Sequence, residues 1–303
     1  MADTNRTSLF LLEESTFGTT PASAAWTTLR PTGESLQFGI TNTSSDEIRS
    51  DRNIQDLVQT DATVSGDVNF ELSHGSFDTL LEGAMCSAFS ANVLKNGTTA
   101  KSYTLEKKFA DAGRFHTYKG CRIGGFNLNV ASGSIVTGSF SVQGKNSIAG
   151  ASSASSGTPN ASSSTTPFNA VGNVGTLKEG GSTLSDNVTA ISLSVSNNLR
   201  SNQAIGTLGS TGIGLGSFEV TGTMSVYFAN DTLYNKYLQS TESSLEFTMT
   251  DASSNAITIL LPRIKYSSGT VLAGGGNADV MVELGFQAIY NASDTATIKI
   301  TRT

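Results

Sequence analysis

Cysteine, proline, histidine, tryptophan and charge are all scarce in this chain. Its 303 residues hold two cysteines, five prolines, two histidines and one tryptophan, and only 15% are charged. Two cysteines, Cys86 and Cys121, cannot build a disulfide framework, and the expectation is two free thiols in reducing surroundings. His74 and His116 stand alone, and no Cys/His cluster has metal-ligand spacing. No GxSxG, P-loop or complete dinucleotide fingerprint occurs. The triple glycine at 274–276 precedes neither a Lys-Ser/Thr pair nor a helical pattern. The acidic group Asp46, Glu47, Asp51, Asp56 and Asp61 lacks the spacing of a calcium loop and reads as a solvated loop. The chain is therefore expected to be no enzyme, with no catalytic residue, cofactor or metal. No apolar run has the length of a membrane helix. The short run Leu9–Leu12 meets Glu13 and Glu14 at once, which is not a signal-peptide pattern. A net charge of −6 offers no overall attraction to nucleic acid.

What is present is glycine, serine, threonine and asparagine around short alternating apolar runs. That composition suits many strands joined by polar turns. The length suggests about two domains.

The chain reads as built twice. RSDRNI (49–54) returns as RSNQAI (200–205). Before them, LQFGITN (36–42) and ISLSVSN (191–197) alternate in the manner of half-buried strands. After them, VSGDVNFEL (64–72) matches VTGTMSVYF (220–228). Each then enters a short helical pattern, SFDTLLEGAM (76–85) or TLYNKYLQS (232–240), with one apolar stripe. Ser73 or Ser76, and Asn230 or Asp231, are the candidate caps. CRIGGF (121–126) parallels PRIKYS (262–267), and VTGSF (136–140) parallels VELGF (282–286). The expected layout is an arm over 1–28 anchored by Trp26 and Leu29, a first β domain over 29–145, a linker or surface loop over 146–167, and a second β domain over 168–303. The Ser/Gly-rich tract at 146–167 has too little apolar surface to order itself. The tract at 168–182 reads as a strand of the second copy or as a surface hairpin.

The polar faces of the strands lack lysine and arginine. Ser65, Asp67, Asn69 and Glu71 oppose Val64, Val68 and Phe70. Thr137, Ser139, Ser141 and Gln143 oppose Val136, Phe140 and Val142. Ser192, Ser194 and Ser196, then Thr221, Thr223 and Ser225, then Glu283 and Gln287, continue the pattern. Exposed strands usually carry basic residues that block association. Their absence reads either as a neutral outer surface or as a wet surface that does not hold polyanions. Arg49 and Arg200 recur at one place in the two copies. They are either solvated or bonded within their own unit, or contacts repeated at each subunit boundary.

Several stretches together resemble the major tail tube proteins of long-tailed, non-contractile bacteriophages. These are LLEESTFGTTP…WTTLRPTGESLQF (11–38), the acidic loop with RSDRNIQDL, the strand-to-helix unit VSGDVNFELSHGSFDTLLEGAM, and the Ser/Thr/Gly-rich β composition. The resemblance covers most of the first copy and reaches the second through the internal match. It implies a mainly β fold, a small β-sandwich or barrel flanked by one short helix; many members of the family carry one such unit and form six-membered rings, and with its internal match this chain departs from them by carrying two tandem tail-tube-like units. It implies rings stacked into a hollow tube that delivers DNA. The loop over 43–63 and the arm bridge subunits and rings, ordering on assembly. Asp46, Glu47, Arg49, Asp51, Arg52, Asp56 and Arg200 become the loop contacts. Ser65, Asp67, Asn69, Glu71, Thr137, Ser139, Ser141, Thr221, Thr223 and Ser225 become the lumen candidates. A duplicated chain closes a six-unit ring with three copies. The implied partners are the chain itself, a tape measure protein, tail terminator and distal tail proteins, with double-stranded DNA in transit and no membrane insertion. The implied location is the virion, after assembly in the host cytoplasm. The rival readings are an adhesive or decorative β-sandwich of a virion surface, weakened by the single tryptophan, and the inner tube of a contractile injection system.

Overall fold

A computed structural model describes residues 2–184 and 188–303. Met1 of the expected arm, and 185–187 of the expected second domain, lie outside the described residues. Alternating side chains with β-branched and aromatic residues put most of the rest into strands. In the first half these are β1 (Thr7–Glu13), β2 (Thr27–Thr28), β3 (Pro31–Glu34), β4 (Gln37–Ser44), β5 (Leu57–Glu71), β6 (Val93–Lys95), β7 (Tyr103–Phe109), β8 (Arg114–Ala131), β9 (Thr137–Gly144) and β10 (Asn146–Gly150). In the second half they are β11 (Val174–Glu179), β12 (Ser182–Thr183), β13 (Val188–Ser196), β14 (Arg200–Asn202), β15 (Gly212–Gly214), β16 (Glu219–Tyr227), β17 (Ser243–Thr250), β18 (Ala256–Ala273), β19 (Val280–Ala288) and β20 (Lys299–Arg302). Helix α1 (Asp78–Met85) follows β5, and α2 (Thr232–Leu238) follows β16. Each turns an apolar stripe inward, with Leu80, Leu81 and Ala84 buried in α1 and Leu233 in α2. The architecture is mainly β and sandwich-like, without a closed barrel.

The ladders repeat. In the first half β1 pairs with β7, β7 with β8, β8 with β9 and β10, β9 with β5, and β5 with β3 and β4, all antiparallel. In the second half β11 pairs with β17, β17 with β18, β18 with β19 and β20, β19 with β16, and β16 with β13, again all antiparallel. Irregularities fall at matching places. Tyr103/Leu105 corresponds to Ser243/Leu245, Ile123/Gly125 to Tyr266/Ser268, and Pro31/Gly33 to Val188/Ala190. Two ladders join the halves, β8 to β13 and β6 to β20.

This register corrects the motif matches. Val64 and Val220 do correspond. Leu36, however, takes the place of Leu193 rather than Ile191, Ile123 that of Tyr266, and Phe140 that of Leu284. Three of the matches were therefore offset by two residues. A two-residue slip keeps every side chain on its face, so alternation alone does not detect it.

One continuous apolar core runs through both halves, from Leu9, Phe70 and Phe140 to Phe247, Phe286 and Ile300. Phe140 stacks on Phe70 at 4.6 Å between centroids and lies 6.0 Å from Phe126.

Four expectations change. Residues 1–28 are an arm only in part, because β1 pairs along its whole length with β7. Leu9 and Leu11 join the main core, while Phe10 and Leu12 pack with Trp26 on the other side, so the run Leu9–Leu12 is buried on both faces. Of the loop over 43–63, residues 45–56 form an exposed loop, while its two ends, 43–44 and 57–63, extend the β4–β5 ladder. The tract at 146–167 begins as strand β10, and its remainder, 151–166, is a surface loop that is held in place rather than slack. β10 pairs with β8, and Ser153 and Ala154 donate to the buried Glu106 carboxylate. Ser156 N then bonds Ala22 O and Asn160 N bonds Trp26 O, so polar contacts supply the order that apolar burial does not. Neither Ser73 nor Ser76 caps α1, since the two hydroxyls bond each other. At α2 the Asn230 side chain accepts from Thr232 N, and Asp231 makes no cap bond.

Candidate functional site

Strands β5, β9, β8, β13, β16 and β19 lie side by side in that order. Since opposed residues share a face, the ladders place polar side chains in rows. One row runs Asn69, Ser139, Asn127, Ser194, Thr221, Gln287. A second runs Glu71, Thr137, Asn129, Ser192, Thr223, Gly285, and a third Asp67, Ser141, Gly125, Ser196, Glu219. Ser65 faces Gln143, and Ser225 faces both Ala190 and Glu283. The ten lumen candidates therefore occupy one face of one sheet that spans both halves. All ten are exposed or half-buried. The residues between them, such as Val68, Phe140, Leu128, Leu193, Met224 and Phe286, are buried in the core.

The face is a hydrogen-bonding surface in its own right. Ser192 and Thr223 hydroxyls lie 2.7 Å apart, Asn127 Nδ2 donates to Ser139 Oγ at 3.5 Å, and Gln287 Nε2 donates to Glu219 Oε1 at 3.5 Å. Its charges are the carboxylates of Asp67, Glu71, Glu219 and Glu283. The three full rows contain neither lysine nor arginine. Two cations stand at one margin, Arg122 opposite Gln143 and Lys265 opposite Gln287. Both are engaged. Arg122 donates to the Ile213 carbonyl, stacks over Phe17 and is lowered from its ordinary pKa by burial. Lys265 lies 3.7 Å from the Glu242 carboxylate. At the other margin the second half departs from the first. Tyr227, Met281 and Leu272 replace Glu71, Thr137 and Asn129 with apolar groups.

Asn127, Asn129 and Glu219 were missed among the site residues. The alternation in FNLNV (126–130) was the signal for the first two.

The expected loop contacts gather at the tip of the β4–β5 hairpin, but Arg49 and Arg200 do not share a local structure. Arg49 donates to Asp51 at 2.9 and 2.6 Å, and the guanidinium holds that carboxyl far below its usual range. Arg200 lies in β14 and donates to Leu215 O at 3.1 Å. Each is bonded inside its own excursion. Asp46, Glu47, Arg52 and Asp56 are exposed beside Ile48 and Ile54, which are also open to solvent. The two excursions touch through Gln203 Nε2 and Asp61 Oδ2 at 2.7 Å. Trp26 and Leu29 are both buried.

Cys86 and Cys121 are free and buried. No group of His, Cys, Asp and Glu among the described residues has the geometry to hold a metal ion. No helix among the described residues is long and apolar enough to cross a membrane.

The protein-family model described as phage tail tube protein matches residues 4–288. No curated protein matches the chain.

Proposed function

The chain belongs to the phage tail tube protein family, a structural component of the virion, and from that premise we propose that it lines a DNA conduit with the polar face of its six-strand sheet. The observation that carries this is the continuity of the face. Two stretches of chain far apart in sequence contribute polar side chains to the same rows, and the rows hold carboxylates but no lysine or arginine.

DNA presents a phosphate charge about every 1.7 Å of its axis, and each fixed cation beside it is a point of attachment. A surface of hydroxyls, amides and sparse carboxylates gives the duplex water to slide on and no counter-charge to hold it. Ser65, Asp67, Asn69, Glu71, Thr137, Ser139, Ser141, Thr221, Thr223 and Ser225 are the lumen residues in this reading. The repeated ladders support a duplicated tail tube unit. Three chains then close a ring of six like units, and rings stack into the tube of a non-contractile, siphophage-type tail. The tip of the β4–β5 hairpin, with Asp46, Glu47, Arg49, Asp51, Arg52 and Asp56 beside exposed isoleucines, makes contacts between rings. Arg200 lies on the neighbouring excursion. A tape measure protein, a tail terminator and distal tail proteins complete the partners, with assembly in the host cytoplasm before the tail is built.

Electron microscopy of the purified, concentrated protein tests the reading. Hollow tubes are expected. Compact particles alone, even when the other tail components are added, would overturn it.

A further inference from the structure

The two helices hold matching places in the two halves, α1 after β5 and α2 after β16, yet they are anchored differently. In α1, Leu80, Leu81, Gly83, Ala84 and Met85 are buried. Phe77, just before the helix, packs on Phe70 at 4.9 Å and on Phe140 at 6.2 Å between ring centroids. Gly83 admits the Tyr103 ring, whose hydroxyl donates to Thr79 O at 3.0 Å. In α2 Leu233 alone is buried, and the residue just before the helix is the exposed Asp231.

The sheet beneath α2 differs in the same sense. Through the matching ladders, Val226 takes the place of Phe70, Leu284 that of Phe140 and Ser243 that of Tyr103. Three rings give way to smaller side chains, and a large-to-small exchange leaves space wherever the surroundings do not collapse onto it. Among the described residues, clefts of about 220 and 390 Å³ open beside α2, and Gly180 and Lys236 line both. The first is also lined by Val226, Leu233 and Val282.

A charged contact stands where the first half has apolar packing. Lys236 Nζ donates to Glu179 Oε2 at 2.5 Å, and the Glu179 carboxylate also accepts from Ser243 Oγ at 2.5 Å and from Tyr266 OH at 3.0 Å. Glu179 is 6% exposed, and its counterpart in the first half is Leu11. Tyr237 adds one more contact, against Gly269 of β18.

We infer that α2 is a hinged lid over the end of the second unit, latched by the Lys236–Glu179 pair, and that it lifts while the rest of the sandwich, α1 included, stays folded. Segments with few buried apolar contacts open well below the cost of global unfolding, and α2 has one buried side chain where α1 has five. A buried carboxylate that loses its cation is costly, so the pair holds the lid in the closed geometry. Lifting it lets water reach both clefts and uncovers Val226 and Val282. These lie on β16 and β19, two strands of the polar face, so the lid sits directly behind that face, once per chain. The inference concerns the single chain and does not depend on the tube reading.

Amide exchange on the full chain, read by mass spectrometry across a series of low urea concentrations, tests it. In the wild type the amides of 235–241 should exchange at least about a hundredfold faster than those of 81–85, with a much weaker dependence on urea. Lys236→Met should speed exchange over 235–241 by about tenfold or more and leave 81–85 unchanged. The two segments exchanging at one rate with one urea dependence, or Lys236→Met speeding both by the same factor, would overturn the inference, because α2 would then open only with the whole fold. If Lys236→Met does not fold, the wild-type urea series decides. Tube formation, or its failure, bears on the conduit reading and leaves this result unchanged.

Discussion

Replacing Asp67 and Thr223 together by lysine puts cations at two separated places on the polar face. Asp67→Lys changes the local charge by two and Thr223→Lys by one. Both positions are exposed, so the fold should hold to within about 0.5 kcal/mol. The effect on DNA should be far larger. In a ring of three chains the double variant adds six cations, and each phosphate contact contributes about 0.9 to the slope of log affinity against log salt. If all six reach phosphate, retention of DNA at 50 mM salt should exceed that at 200 mM by about a thousandfold. The assay is the rate of DNA release from particles built with the variant, followed by dye fluorescence at both salt concentrations. Release should be slow at 50 mM and recover at 200 mM. A Ser253→Lys control, in the turn between β17 and β18, should behave as wild type. Variant particles that release DNA at the wild-type rate at 50 mM would refute the assignment of this face to the lumen.

Two further outcomes follow from the packing. At Gly125, φ is 154° and an added Cβ would stand 1.8 Å from the Val195 carbonyl oxygen, inside the β8–β13 junction. Gly125→Ala should therefore cost about 3 kcal/mol or more in urea unfolding, while Gly175→Ala, with nothing within 4 Å, should be near neutral; equal midpoints would contradict the junction geometry. Burial, aided by Glu34, pushes the Tyr118 phenol up to about 12, and burial raises Tyr103 and Tyr266 further. A phenol whose folded pKa exceeds its unfolded value of about 10 adds stability that is complete below pH 10 and lost as pH rises through 12. Absorbance at 295 nm should show these groups ionising only as near-ultraviolet circular dichroism collapses, and seven tyrosines titrating near pH 10 with unchanged dichroism would contradict it.

The strands and both helices were legible because period two and a short 3.6-residue stripe are local signals. So was the polar face, since alternation around Val64, Phe140 and Val220 fixes which side chains lie together. What alternation cannot supply is register, which is why CRIGGF was set against PRIKYS two residues out of place. Order bought by polar contacts was equally hidden. The 146–167 tract looks disordered by composition, and only the fold brings Ser153 and Ala154 to the Glu106 carboxylate. Leu9–Leu12 looked like an arm because a run buried on both faces shows no alternation. Arg49 and Arg200 matched in sequence while their surroundings diverged, since connections of similar length between matched strands are free to fold differently.

The decisive measurement is a helical reconstruction of assembled tubes by electron cryo-microscopy, at a resolution that places side chains. It should show three chains per ring with approximate sixfold symmetry, and Asp67, Asn69, Thr221 and Thr223 turned to the bore. Six chains per ring, or a bore lined by any other surface of the sheet, would contradict the assignment.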